Sequence, residues 1–315
     1  MTVHHVPATP STVRWGIFDA AIPPVVTVQS GDTVVLECVS GGPQVMPPPG
    51  SGFAIPPALA AIHASDIPRA GGHIITGPVA VAGAMPGDML EVRIDRIELG
   101  NDWGFCGFRP LAGTLPEDFH EPFLTHIPVD RAKMTCRMPY GVELKLAPFF
   151  GVMGVAPPKL WGPISSGPPR EHGGNMDNKE LIKGSTLFLP VHVDGGNFSA
   201  GDGHAAQGDG EVNSNGLETA LGGTFEIILR KDLKLTMPRA ETPTHYITMG
   251  MDVDLDDAAK QALREMIVFI VEKTNLSRED AYTLCSLAAD LRVTQIVDGN
   301  KGIHVMLAKT ALHGT

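Results

Sequence analysis

Basic surface, clustered cysteines and long apolar runs are all scarce in this 315-residue sequence, and each scarcity removes a class of protein. Lys and Arg total 24 against 35 Asp and Glu, a formal charge of −11 with no basic cluster. A phosphate backbone needs a basic face, so the balance argues against a nucleic-acid partner. Cys38, Cys106, Cys136 and Cys285 lie far apart with no C-x-x-C pair, which argues against a zinc ribbon or a dense disulfide framework. They read as buried thiols in a reducing compartment. No apolar run is long enough to span a bilayer. The first residues lack a basic stretch followed by an apolar one, so no secretory signal is read and a cytoplasmic location is expected. The strained G-x-S-x-G turn that many serine hydrolases use is missing too.

Aromatics make up only 6% of the chain, whereas Gly (36) and Pro (27) are plentiful. Such a composition predicts many turns and short strands rather than a helical bundle. Two segments share one pattern, a β-branched run, a Gly-Asp turn and a second run. They occupy residues 24–39 around Asp32 and residues 77–97 around Asp88. Each reads as a hairpin or a strand-turn-strand corner, with Asp32 and Asp88 as turn formers. A short helix is expected over 57–62. Past residue 235 the character changes. Residues 255–273 carry Ala258, Ala262, Met266, Phe269 and Ile270 at helical spacing. Ser277 starts a second helix whose apolar face is read as Tyr282, Cys285, Leu287 and Ala288. Two strands, 291–297 and 303–307, follow around a turn at 298–302. The expectation is a β-rich α+β fold, with a sandwich-like body over 1–235 that carries the site and a C-terminal α/β subdomain over 236–315.

The centre of the chain is residues 195–218, GGNFSAGDGHAAQGDGEVNSNGLE. Apolar strand candidates at 186–193 and 224–229 flank it, and a loop pinned between core strands is where functional groups tend to sit. Gly201-Asp202 begins as a third Gly-Asp turn, but the run that should follow is replaced by polar residues. Asp202 and His204, two apart on what reads as an irregular loop, can both face one ion. Imidazole and carboxylate are ligands of catalytic zinc. A metal of this kind acidifies water and polarises a carbonyl, and a free carboxylate is then needed to move the proton. A thiol nucleophile, Cys106 or Cys136, is the rival chemistry.

GGNMD at 173–177, GSTLFLPV at 184–191 and GDGHAAQGDGE at 201–211 together resemble the signature of the acetamidase/formamidase family. GPVAV at 77–81, GAMPGD at 83–88 and FGVMGVAP at 150–157 are similar to it as well, in family order, from about residue 15 to 307. The resemblance implies hydrolysis of an amide to a carboxylate and ammonia, a divalent metal and a homo-oligomer. Carried over by position, His73, Asn175, Asp177, Asp202, His204 and Glu211 line the site. On chemical grounds His73, Asp177, Asp202 and His204 are assigned to the metal, zinc by ligand type, with calcium considered as a second, structural ion. Glu211 is assigned as general base, Glu37 as the second candidate for that role, and Asn175 and Gln207 to substrate. GGNF at 195–198 departs from the family's pattern, and residues 41–52 are unusually rich in proline. A bulkier amide and a non-catalytic binding protein therefore stay open as alternatives.

Overall fold

In a computed structural model, which describes residues 1–312, the alternating strands assemble into two large sheets packed face to face. The larger has nine strands, ordered Val3–Val6, Asp32–Cys38, Leu221–Arg230, Met89–Leu99, Thr186–Pro190, Arg239–Glu241, His245–Asp252, Lys301–Ala308 and Ala289–Gln295. The second has six, ordered Gly173–Asn175, Phe149–Gly154, Phe198–His204, Ile74–Val81 and Val13–Trp15, with Val26–Val28 parallel to Ile74–Val81. Alternate residues of both sheets fill the space between them. Phe225 of the larger sheet meets Phe150 and Phe198 of the smaller, each at 5.5 Å between ring centroids. The body is thus a β-sandwich, within a β-rich α+β fold.

The two Gly-Asp segments are corners, not hairpins. In each, the strand before the turn belongs to the six-stranded sheet and the strand after it to the nine-stranded sheet. Asp32 accepts from the Thr2 and Gln29 amides at 2.7 and 3.1 Å, and Asp88 accepts from the Met85 amide at 3.0 Å. Both carboxylates therefore serve the turn. The third copy is different. Residues 198–204 form one strand through Gly201 and Asp202, where an irregular loop was expected. Neighbours on both sides explain this: Phe149–Gly154 and Ile74–Val81 supply its ladder partners.

Past residue 235 the chain adds the helices Leu255–Lys273 and Arg278–Ala288. They cover the far end of the larger sheet with an apolar cluster of their own. That sheet does not stop at the expected boundary, because Arg239–Glu241 pairs with Thr186–Phe188 of the body. The short helix appears at Pro57–His63. Ser277 caps the last helix, its Oγ accepting from the Asp280 amide at 3.0 Å. The apolar face of that helix differs from expectation. Ala281 and Cys285 are buried, whereas Tyr282, Leu287 and Ala288 are exposed. The helix packs through small residues at i and i+4, and the larger side chains stay on its outer side.

Strand His245–Asp252 and helix Leu255–Lys273 approach so closely that Gly250 faces helix backbone. A Cβ there would collide with the Ala258 carbonyl and stand 2.7 Å from the Ala262 nitrogen. Gly250→Ala is expected to destabilise the protein by about 1–3 kcal/mol through overpacking. Thermal unfolding measures this, and an unchanged Tm would refute the close packing.

Candidate active site

The chemistry-bearing residues gather at one end of the strand Phe198–His204. His204 is fully buried, with its ring edge-on to Phe149. Its Nδ1 lies 2.8 Å from Gln207 Oε1. An amide oxygen can only accept, so Nδ1 carries a proton and Nε2 is the nitrogen that faces the carboxylates. That Nε2 lies 2.9 Å from Glu218 Oε1 and 3.3 Å from Asp202 Oδ2, close enough to share a proton with either. Asp177 Oδ1 lies 3.8 Å from Nδ1. Both Asp177 oxygens are buried without a partner. A buried carboxylate with no donor is costly unless a cation compensates it.

Ligand-capable atoms converge in two groups, Asp177–His204–Glu211 and Asp202–His204–Glu218. Among the described residues, both groups contain His204, so a separate place for a second, calcium ion is not found. Gly151 borders the space between them. A Cβ on it would touch Asp177 Oδ1, reach within 2.6 Å of Asp202 Oδ2 and lie 3.1 Å from His204 Cε1. Glycine here leaves a cradle lined by oxygen and imidazole, which fits a divalent ion.

The backbone is strained where these groups sit. Asp177, Asp202 and Glu211 have φ of 50°, 56° and 44°, a left-handed region that non-glycine residues seldom adopt. Such residues persist only where the surroundings over-determine them, and they concentrate at functional sites. At Asp202 the turn of the backbone has a visible consequence. Ala200 packs into the inter-sheet core, yet Asp202 and His204 meet the cluster instead. A regular pleat would put all three on one face.

Burial dominates the electrostatics. It pushes the carboxyls of Asp177 and Glu211 well above their usual range, and neighbouring carboxylates add to the rise at both. Glu218 goes from 4.5 up to about 7, burial again leading and His204 opposing. Burial also works against ionised Asp202, but His73 and His204 together outweigh it and hold that carboxyl low. His204 is pulled down by burial and carried well above its ordinary value by Glu218 and Asp202.

The remaining expected residues are placed as follows. His73 stands at the margin, its Nδ1 2.9 Å from Ser166 Oγ and its Nε2 4.0 Å from Asp202 Oδ2. Asn175 is buried opposite Val152, next to Gly151 on the adjoining strand, with an unpartnered Oδ1. Gln207 was expected at the substrate. It sits behind the cluster instead, fixing His204 through Oε1 and donating from Nε2 to the Asp177 carbonyl at 2.8 Å. Glu37 is not brought to the cluster; its side chain is exposed on strand Asp32–Cys38. The reason is parity, since Leu36 and Cys38 take the buried face. The thiols are poorly set for attack: burial raises the pKa of both Cys106 and Cys136.

Two residues of the site were missed. Glu218 lies in the same polar stretch, and the two backbone hydrogen bonds it exchanges with Phe105 hold it against His204. Asp298, in the C-terminal turn, is a carboxyl neighbour of Asp177, raised to about 6 chiefly by burial. The sequence signal for Glu218 was its place in the polar stretch; Asp298 had none.

Comparison with known proteins identifies the fold and the family. A formamidase from Methylophilus methylotrophus is 26% identical over 302 residues, covering 76% of this chain and 72% of its own. An acetamidase structure from Bacillus halodurans superposes with a TM-score of 0.84 at 34% identity, covering 96% of this chain and 97% of that one. An acetamidase from Yersinia enterocolitica gives a TM-score of 0.85 at 27% identity, covering 98% and 92%. The model of the Acetamidase/Formamidase family matches residues 12–161 and 164–310, nearly the whole chain. With its strained carboxylates set around a buried histidine on that shared fold, the chain belongs to the acetamidase/formamidase family.

Proposed function

We propose that this protein hydrolyses the C–N bond of a small linear carboxamide, formamide or acetamide in type, at the cluster around His204. The observation that carries the reading is the pair of unpartnered Asp177 oxygens at the Gly151 cradle, which Asp202 Oδ2 and the His204 ring also border. A divalent ion, zinc by ligand type, would supply a polarised carbonyl and a water acidified to neutral pH. Asp202, His204 and Glu218 would hold it, with Asp177 and His73 beside them. Gln207 locks the tautomer that leaves Nε2 available.

Glu211 is the proton carrier in this reading. It takes a proton from the attacking water as the water oxygen joins the acyl carbon, and delivers it to the nitrogen as the C–N bond breaks. Burial raises its pKa, so once ionised it is a stronger base than an exposed carboxylate. Asn175 would donate to the developing oxyanion. The homo-oligomer implied by the resemblance and the cytoplasmic location expected from the sequence belong to the same proposal; sedimentation tests the first.

Three outcomes follow from this arrangement. Glu211→Gln should retain metal and lose about 10²–10⁴-fold in kcat on formamide or acetamide. Glu218→Gln should instead lower the bound metal, measured by elemental analysis. A Glu211→Gln protein with full turnover would remove the base assignment. Gly151→Ala should fold but lose about tenfold or more in metal affinity, because its methyl occupies the cradle.

The raised pKa values of Asp177, Glu211 and Glu218 mean that metal-free folded protein holds protons its unfolded chain would release. For Glu218 the resulting stability is complete below about 4.5 and is lost as pH rises through about 7, and Asp177 and Glu211 act in the same sense. Asp202 acts in the opposite sense, at lower pH. A bound ion requires the deprotonated forms. The Tm of chelated protein should therefore fall between about pH 5 and about pH 8, and the Tm gain on adding zinc should grow over that interval. A gain that is absent at every pH counts against the ion.

A further inference from the structure

The strand Ala289–Gln295 belongs to the C-terminal part of the chain, yet it grips both segments that carry the site. Arg292 donates from Nε and Nη2 to Asp209 Oδ2 at 3.0 and 2.7 Å. Its Nη1 donates to Glu180 Oε1 at 2.7 Å. The other Asp209 oxygen is held by Lys179 Nζ at 3.1 Å. Backbone bonds reinforce the grip: the Gly210 amide donates to the Val293 carbonyl at 2.9 Å, and the Ile296 amide donates to the Gly210 carbonyl at 3.2 Å. Asp209 and Gly210 directly precede Glu211. Lys179 and Glu180 follow Asp177 by two and three residues. One guanidinium therefore spans the two segments that deliver Asp177 and Glu211.

We propose that Arg292 is a positioning residue for amide cleavage, fixing Glu211 relative to Asp177 through Asp209 and Glu180. The inference rests on the amide-hydrolase reading above. Three considerations support it. The loop around Glu211 has Gly208 and Gly210 within three residues and little stiffness of its own. Asp177 and Glu211 both hold left-handed backbone that something outside their own segments must maintain. A planar guanidinium can hold two carboxylates at a set separation, which a lysine ammonium on a flexible stem cannot. As partly exposed ion pairs these contacts add little stability. A purely structural Arg292 would thus be nearly silent in kcat, whereas a displaced proton carrier would not.

The test compares wild type with Arg292→Ala, Arg292→Lys, Asp209→Asn, Glu211→Gln and the Arg292→Ala/Glu211→Gln pair on formamide and acetamide. Arg292→Ala should lower kcat by about 10- to 100-fold, with KM and Tm little changed. Arg292→Lys should fall between it and wild type, and Asp209→Asn should reproduce the loss from the other end of the clamp. The double variant should be no slower than Glu211→Gln alone, since Arg292 acts through that residue. Arg292→Ala and Asp209→Asn with kcat within about twofold of wild type overturn the inference, as does a double variant whose losses multiply. Should Arg292→Ala fail to fold, Asp209→Asn and Arg292→Lys decide by the same criteria. A wild type inactive on every amide overturns the functional reading itself, whereas an active wild type with unaffected clamp variants overturns only the role of Arg292.

Discussion

The constraint on which the structure turns is negative charge taken out of water. Asp177, Asp202, Glu211 and Glu218 are all buried, and fully buried His204 is ringed by them. Isolated burial of one carboxylate is expensive, and burial of four in contact range cannot be met by a single imidazole. The group must share protons, or a cation must sit among them. Each choice of local structure makes sense as a way to hold these groups together. Three of the four occupy or adjoin left-handed backbone, Gly151 keeps the space between them open, and Gln207 fixes the histidine from behind.

The sandwich supplies the rigidity for this. Strand Phe198–His204 lies between two antiparallel neighbours, so Asp202 and His204 ride on a ladder and not on a mobile loop. The Gly-Asp corners at Asp32 and Asp88 pass the chain between sheets and let the Phe150–Phe198–Phe225 core close beneath the site. The C-terminal strands then extend the larger sheet and send Arg292 and Asp298 back toward the site. The last eighty residues consequently act both as an added layer with its own apolar cluster and as a contributor of site residues.

Periodicity and turn chemistry are local, and they were readable. The alternation of Leu90, Val92 and Ile94, the helical spacing of Ala258, Ala262 and Met266, and the cap at Ser277 all appear where the chain predicts them. So did the identity of Asp177, Asp202, His204 and Glu211 as a group, through motifs distinctive enough to mark the family. Parity was harder. Glu37 lies in a strand that faces the core with Leu36 and Cys38, so a shift of one residue turns it to solvent. The same one-step error separates Tyr282 from Ala281 on the last helix.

What the sequence determined by itself was the β-rich class, the turn-forming aspartates and the residues of the central motif. Only the tertiary structure decided that the central stretch begins as a strand, because that depends on two ladder partners earlier in the chain, one more than a hundred residues away and the other about fifty. It alone turned Gln207 from a substrate contact into a support for His204, placed Glu218 against that ring, and brought Asp298 beside Asp177. Those relations are between residues distant along the chain or facing across a fold in it. A local pattern carries no record of them, since the contact exists only after both sheets have packed.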